Sequence, residues 1–117
     1  MLRVLLTGFE PFGKYSENSS WTVAEKVAAC GVVGAEVMAK RLLVSFAGVG
    51  TTLRKAVEEC HPDVIIMLGQ CAGVDYIKLE RIAINMMDAP PPTMTDTSPM
   101  RSRYVLQVLL RFLQILI

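Results

Sequence analysis

Two phenyl rings flank a proline in Thr7-Gly8-Phe9-Glu10-Pro11-Phe12-Gly13, a segment bracketed by glycines where the backbone must turn sharply. Two rings on a turn are costly unless something covers them, and the reading from the residues alone is a hydrophobic plug that folds back on the sheet. A competing phosphate cradle finds little support, because the segment lacks dinucleotide glycine spacing and has no P-loop lysine. Gly69-Gln70-Cys71-Ala72-Gly73 offers a second small turn, in which the Gln70 amide carries both donors and an acceptor; a lone glutamine in such a turn is ordinarily structural. Leu79 to Asn85 holds the one carboxylate with an informative position. Ile77 and Leu79 share one parity, whereas Ile82, Ile84 and Met86 share parity with Glu80. The alternation therefore slips, which predicts a bulge or bend near Glu80. On the downstream parity Glu80 lies on an apolar face and needs a partner; the competing reading is an exposed Glu80-Arg81 edge pair.

The remaining reactive groups are assigned structural roles. Cys30 and Cys60 fall on or at the ends of helical stretches and read as small packing residues. Cys71 lies at a strand end but has no histidine placed to activate it, so it is rejected as a nucleophile. His61, the one histidine, directly precedes Pro62 and reads as a helix-terminal residue. One histidine and dispersed cysteines assemble no metal site, and no cofactor is expected.

The elements that must position these groups follow from hydrophobic periodicity. Leu2 to Leu6 is a short apolar run that predicts a central strand. Ser19 or Ser20 caps a helix through Trp21, Ala24, Val27 and Ala28, stopped by Gly31. Val37 to Val44 predicts a second strand, and Val49 to Cys60 a second helix with one apolar stripe. Asp63 to Leu68 predicts a third strand, and Tyr76 to Met87 a fourth. This order predicts an α/β fold of three layers, α/β/α, around a mainly parallel sheet. Both turns of interest then lie at the carboxyl ends of strands, where such sheets form their ligand crevice.

With 117 residues the chain fits one domain. An apolar fraction of 52% with 20% charged residues matches strands buried on both faces. The net charge of +1 and scattered Lys and Arg residues exclude a nucleic-acid footprint. Three widely spaced cysteines and no signal peptide point to a reducing, cytoplasmic compartment. Tyr104 to Ile117 is too short and too interrupted to cross a membrane.

Thr-Gly-Phe-Glu-Pro-Phe-Gly, followed by Asn18 and Trp21 and joined by the Gly69 to Gly73 turn, resembles the signature of the pyroglutamyl peptidase I family, cysteine exopeptidases that remove N-terminal pyroglutamate from peptides. The resemblance implies that Phe9 and Phe12 sandwich the lactam ring, that Gln70 faces the pocket, and that Asn18 lies near it; otherwise Asn18 is a turn or cap residue. It also implies that Glu80 is the acidic member of a Cys-His-Glu triad. The nucleophilic Cys and the base His of that triad find no match in this chain, which is therefore expected to be inactive as it stands. Full-length relatives are expected to form homo-oligomers. The alternatives are a non-catalytic domain that binds a small ligand or a partner subunit, and a flavodoxin-like nucleotide binder, which rests on fold analogy alone.

The motif resemblance runs over residues 2–89 and is replaced from Pro90 by Pro-Pro-Pro-Thr-Met-Thr-Asp. Written with permitted codons and read one base earlier, residues 93–99 give Asp-Asn-Asp-Gly-Tyr-Gln-Pro. The following stretches give Asn-Glu-Glu-Pro and then Ile-Cys-Pro-Ala-Gly-Pro-Ala-Ala-Phe-Phe-Ala-Asn-Leu, similar to the family's continuation. Residues 1–89 are thus expected to be the N-terminal part of one domain, and residues 90–117 a frameshifted tail. The alternative is a diverged paralogue with an apolar C-terminal helix. Loss of the later strands is expected to leave an unpaired sheet edge that favours association.

Overall fold

The computed structural model describes residues 1–71, 73–80 and, as backbone, 112–116. Strand β1 (Leu2–Phe9) is followed by helix α1 (Ser19–Cys30), strand β2 (Ala35–Leu42), helix α2 (Phe46–Cys60), strand β3 (Val64–Gly69), strand β4 (Lys78–Glu80) and strand β5 (Phe112–Leu116). The sheet order is β2-β1-β3-β5-β4. The β1–β2, β1–β3 and β3–β5 pairs are parallel, and β4 runs antiparallel to β5.

The alternation of β1 divides the core. Val4 and Leu6 pack with Leu68 and Ala24 on the α1 face, backed by Trp21, Val23 and Val27. Leu5 packs with Ile65, Ala56 and Cys60 on the α2 face, backed by Met38, Val57 and Met67. A strand buried on both sides must be apolar at consecutive positions, as Val4-Leu5-Leu6 is. Three layers follow, and the expected fold class holds.

Several boundaries differ from the periodic pattern for local reasons. β1 extends to Phe9, because its pairing with β2 continues to Phe9↔Leu42 and Glu10 N donates to Leu42 O just beyond. β2 starts at Ala35 and stops at Leu42, two residues earlier than the apolar pattern, leaving 43–45 as the approach to Ser45, whose side chain caps α2. α2 therefore starts at Phe46, and its first turns accommodate Gly48 and Gly50, whose low helix propensity hides them from a pattern search. The cap of α1 is Asn18, not Ser19 or Ser20. Residues 112–116 form a strand rather than part of a C-terminal helix. It covers β3, so among the described residues the sheet edges are β2 and β4. Of the expected fourth strand, Lys78–Glu80 is seen; residues 81–87 lie outside the described residues, as does most of the 90–117 tail.

Arg3 ties the strand layer to the end of α2. Its Nε and Nη2 donate to Cys60 O at 3.0 and 2.6 Å, satisfying a carbonyl that the helix terminus leaves open. Its backbone N–H donates to Asp63 Oδ2 at 2.8 Å, and Asp63 N donates back to Arg3 O. The ion pair of Arg3 with Glu36, at 3.6 Å and largely exposed, adds little. Arg3→Met keeps the aliphatic stem and removes the cap. It is expected to lower stability by about 1–2 kcal/mol, read as a shift of the urea midpoint with unchanged slope.

Candidate ring-binding site

The switch point of the sheet lies between β1 and β3, since the chain passes outward from β1 to β2 and then returns to the other side of β1. The loop after β1 and the turn after β3 meet there.

The loop is held by hydrogen bonds from groups far inside it. Phe9 N donates to Ser20 Oγ at 2.9 Å, and Ser20 Oγ donates in turn to Asn18 Oδ1. Asn18 Oδ1 also accepts from Ser20 N at 3.1 Å, which is the helix cap. Asn18 Nδ2 donates to Glu10 O at 3.2 Å. Glu10 Oε1 accepts from Val44 N at 3.1 Å, joining the loop to the segment before α2. Asn18 and Ser20 are buried, with 3% and 0% exposure, Glu10 is half-buried, and each of the three is paired.

On that frame the two phenyl groups stand half-buried. Phe12 meets the ring of Tyr15 edge to face, with centroids 6.1 Å apart and planes at 66°, and Phe12 O accepts from Tyr15 N at 3.3 Å. Among the described residues no ring contact joins Phe9 to Phe12. Gly13, at φ 61°, supplies the left-handed conformation that lets the loop turn back.

Gln70 reaches across the switch point: its Oε1 accepts from Ser19 N at 3.0 Å. The first two N–H groups of α1 are therefore taken by side chains of Gln70 and Asn18. Cys71, in the same turn, is a partly buried free thiol. His61 caps α2 in the left-handed region, with φ 45° and ψ 56°, and its N–H donates to Val57 O. No cluster of three or more metal-ligating side chains occurs among the described residues.

Glu80 stands apart from the loops. Its register partner Gln114 is level with Met67 of β3, which is level with Thr7 of β1. Glu80 thus lies two strands beyond β3 and two residues in from the mouth marked by Gly69 and Leu116. Its carboxylate accepts from Lys78 Nζ at 2.9 Å, and this hydrogen bond raises the pKa of the lysine from its ordinary value. Arg81, the other partner considered for it, is outside the described residues. In the same row the Thr7 hydroxyl is buried and has no hydrogen-bond partner among the described residues.

Hydrogen bonds thus join the Phe9 and Asn18 loop to the start of α1, and the start of α1 to Gln70, while Glu80 lies in a separate strand of the same sheet. Sequence reasoning gave Ser20 only a possible capping role and gave Glu10 and Tyr15 none; the burial that makes the Ser20 hydroxyl need a partner is seen only in the structure.

The family model for pyroglutamyl peptidase matches residues 2–107. The chain belongs to the pyroglutamyl peptidase family. That match runs past residue 89, where the motif resemblance stops. The chain is 42% identical over 99 residues to the pyrrolidone-carboxylate peptidase of Clavibacter michiganensis, covering 85% of this chain and 46% of the relative. It is 39% identical over 98 residues to that of Thermococcus onnurineus, covering 84% and 48%. The solved pyrrolidone carboxyl peptidase from Thermococcus litoralis superposes with a TM-score of 0.82 at 33% identity, over 94% of this chain and 50% of that one. The chain spans about half the length of the relatives it matches. No helix among the described residues is long and apolar enough to cross a membrane.

Proposed function

We propose that this chain carries the ring-recognition half of a site that removes N-terminal pyroglutamate from peptides. The observation that carries the proposal is the hydrogen-bonded Asn18–Ser20–Glu10 frame that holds the loop of Phe9 and Phe12 at the sheet's switch point, with Gln70 bonded to the first residue of α1. A lactam ring is flat and largely apolar, with one amide edge. Two aromatic side chains complement its faces, and an amide side chain complements the edge. Asn18 acts through the loop that it braces. Glu80 is assigned to orient a histidine, as the acidic member of a Cys-His-Glu triad.

In the complete reaction a thiolate attacks the carbonyl joining pyroglutamate to the next residue. The histidine passes the thiol proton to the leaving amine, and water then cleaves the acyl-enzyme. No cysteine of this chain is assigned the attack, and His61 is committed to the end of α2. The 117-residue polypeptide is accordingly expected to release no product from a pyroglutamyl amide, assayed by fluorescence of the leaving amine. Turnover that co-purifies with the chain would overturn that assignment.

The departure after Ala89 is assigned to a shift of reading frame, on the strength of the one-base-earlier reading of residues 93–116. The nucleotide sequence from codon 90 onward tests it. The shifted frame is expected to stay open and to encode a cysteine and a histidine further on; a frame that closes at once or encodes no such continuation rejects it.

A further inference from the structure

We propose that the β2 edge of the sheet pairs antiparallel with the β2 edge of a second copy of this chain, about a two-fold axis at Met38. The inference rests on the register and the charges of β2, independently of the ring-binding proposal.

Among the described residues β2 is an edge strand of the sheet. Its pairing with β1 shows which of its backbone groups are left over. Leu2 N donates to Gly34 O at the start of the ladder, and Glu10 N donates to Leu42 O at its end. Residues of a strand turn their N–H and C=O groups to alternate sides, so the even-numbered residues of β2 turn theirs toward β1. Val37, Ala39 and Arg41 turn theirs outward, where no described strand meets them. Such a row is a template for another strand.

Charges on an edge ordinarily discourage that pairing, and β2 carries Glu36, Lys40 and Arg41. Their spacing instead selects one register. A two-fold axis perpendicular to the sheet keeps each face on its own side, so every residue must oppose one of the same parity. With the axis at Val37, Lys40 opposes Gly34 and Glu36 opposes Met38. With the axis at Ala39, Lys40 opposes Met38 and Glu36 opposes Leu42. With the axis at Met38, Glu36 opposes Lys40 of the second copy, and by symmetry this occurs twice. Val37 and Ala39 then exchange the outward backbone bonds. Glu36 with Lys40, and Met38 with its own copy, fall at the closer positions between those bonds, where Cα atoms lie about 4.5 Å apart. Arg41 meets only the small Ala35, and its guanidinium lies over the Trp21 ring at 5.8 Å.

Each of the two facing charges also has an opposite charge behind it in its own chain. Arg3 lies 3.6 Å from Glu36, and Glu59 lies 3.0 Å from Lys40. Pairing lines up Arg3, Glu36, Lys40 and Glu59 with alternating signs across the interface, a network rather than an isolated surface pair.

Sedimentation equilibrium on the 117-residue chain tests the interface. The natural chain is expected to form dimers as its concentration rises. Glu36→Lys and Lys40→Glu each set like charges opposite one another at both places, and each should weaken self-association at least about tenfold. Mixed in equal amounts, the two variants restore opposite charges at both places, so the mixture should associate to within about threefold of the natural chain. Met38→Cys gives a second readout that leaves the charges alone. Cα atoms about 4.5 Å apart lie within disulfide reach, so mild oxidation should yield a covalent dimer linked at position 38, located by peptide mass mapping. Val37→Cys, whose two copies stand out of step along the strand, should give no such link. A natural chain that stays monomeric at every concentration, or self-association that the single variants leave unchanged, would overturn the proposal. A mixture that associates no better than its components, or the absence of a link at position 38, would overturn it as well.

Discussion

Gly8→Ala is expected to destabilise the chain by about 3 kcal/mol, the upper end of what an overpacked methyl costs. A Cβ built on Gly8 lies 2.6 Å from Ser20 C, Trp21 Cα and Trp21 N. All three are backbone atoms of the first turn of α1, so no side chain can rotate away. Relief requires the helix to lift from the strand, which would stretch the bond from Phe9 N to Ser20 Oγ that holds the loop. Gly8 is thus needed for space and not for its backbone angles. Gly13 presents the opposite case, with φ 61° and no atom within 4 Å of the place a Cβ would occupy, so its substitution strains the backbone without a clash. For a domain stable by about 5–15 kcal/mol in general, a loss of about 3 is large. Urea unfolding measures it; a loss under about 1 kcal/mol would show that α1 does not press on the strand end.

The second large effect is expected at Asn18. Asn18→Ala removes the helix cap, costing about 1 kcal/mol. It also leaves the Ser20 hydroxyl proton and Glu10 O without their partners in a buried setting, at about 1–3 kcal/mol for such groups. Because the three contacts form one network the costs do not simply add, and a total of about 3 kcal/mol is expected. Asn18→Asp keeps the acceptor toward Ser20 and loses the donor toward Glu10, so it should recover the cap but not the brace. Amide exchange separates the two: Ser20 N–H should remain protected in Asn18→Asp. A smaller loss in Asn18→Ala than at an ordinary exposed cap would mean that the network is not formed.

The sequence made the layers legible because consecutive apolar residues such as Val4-Leu5-Leu6 fit only a strand covered on both faces. The cap of α1 was less legible. Asn18, Ser19 and Ser20 are all good capping residues, and the choice among them is made by tertiary contact: Ser20 Oγ is drawn to Phe9 N, and Ser19 N to Gln70. Phe9 reads as a loop residue until its pairing with Leu42 is seen, since nothing local reveals that β2 continues alongside it. The amide chemistry of Gln70 was evident from its type, but which end is spent depends on a contact 51 residues away. The slip in parity at Glu80 rests on Ile82, Ile84 and Met86, which lie outside the described residues; before it, Leu79 is 60% exposed and Glu80 partly covered. Its bond to Lys78 was not foreseen, although residues two apart on a strand share a face. The insertion of β5 between β3 and β4 is a non-local pairing that periodicity does not encode.

The central claim is that the loop after β1 holds a lactam ring. It is tested most directly by ligand-detected saturation-transfer NMR on the 117-residue chain, with free pyroglutamate and proline compared at equal concentration. Pyroglutamate carries the ring carbonyl that proline lacks. Transfer to the pyroglutamate ring protons is expected to exceed that to proline clearly, and to be lost in Phe12→Ala while the fold is retained. Equal transfer to both compounds, or transfer unchanged in Phe12→Ala, would refute ring binding and leave Phe9 and Phe12 as a plug over the sheet.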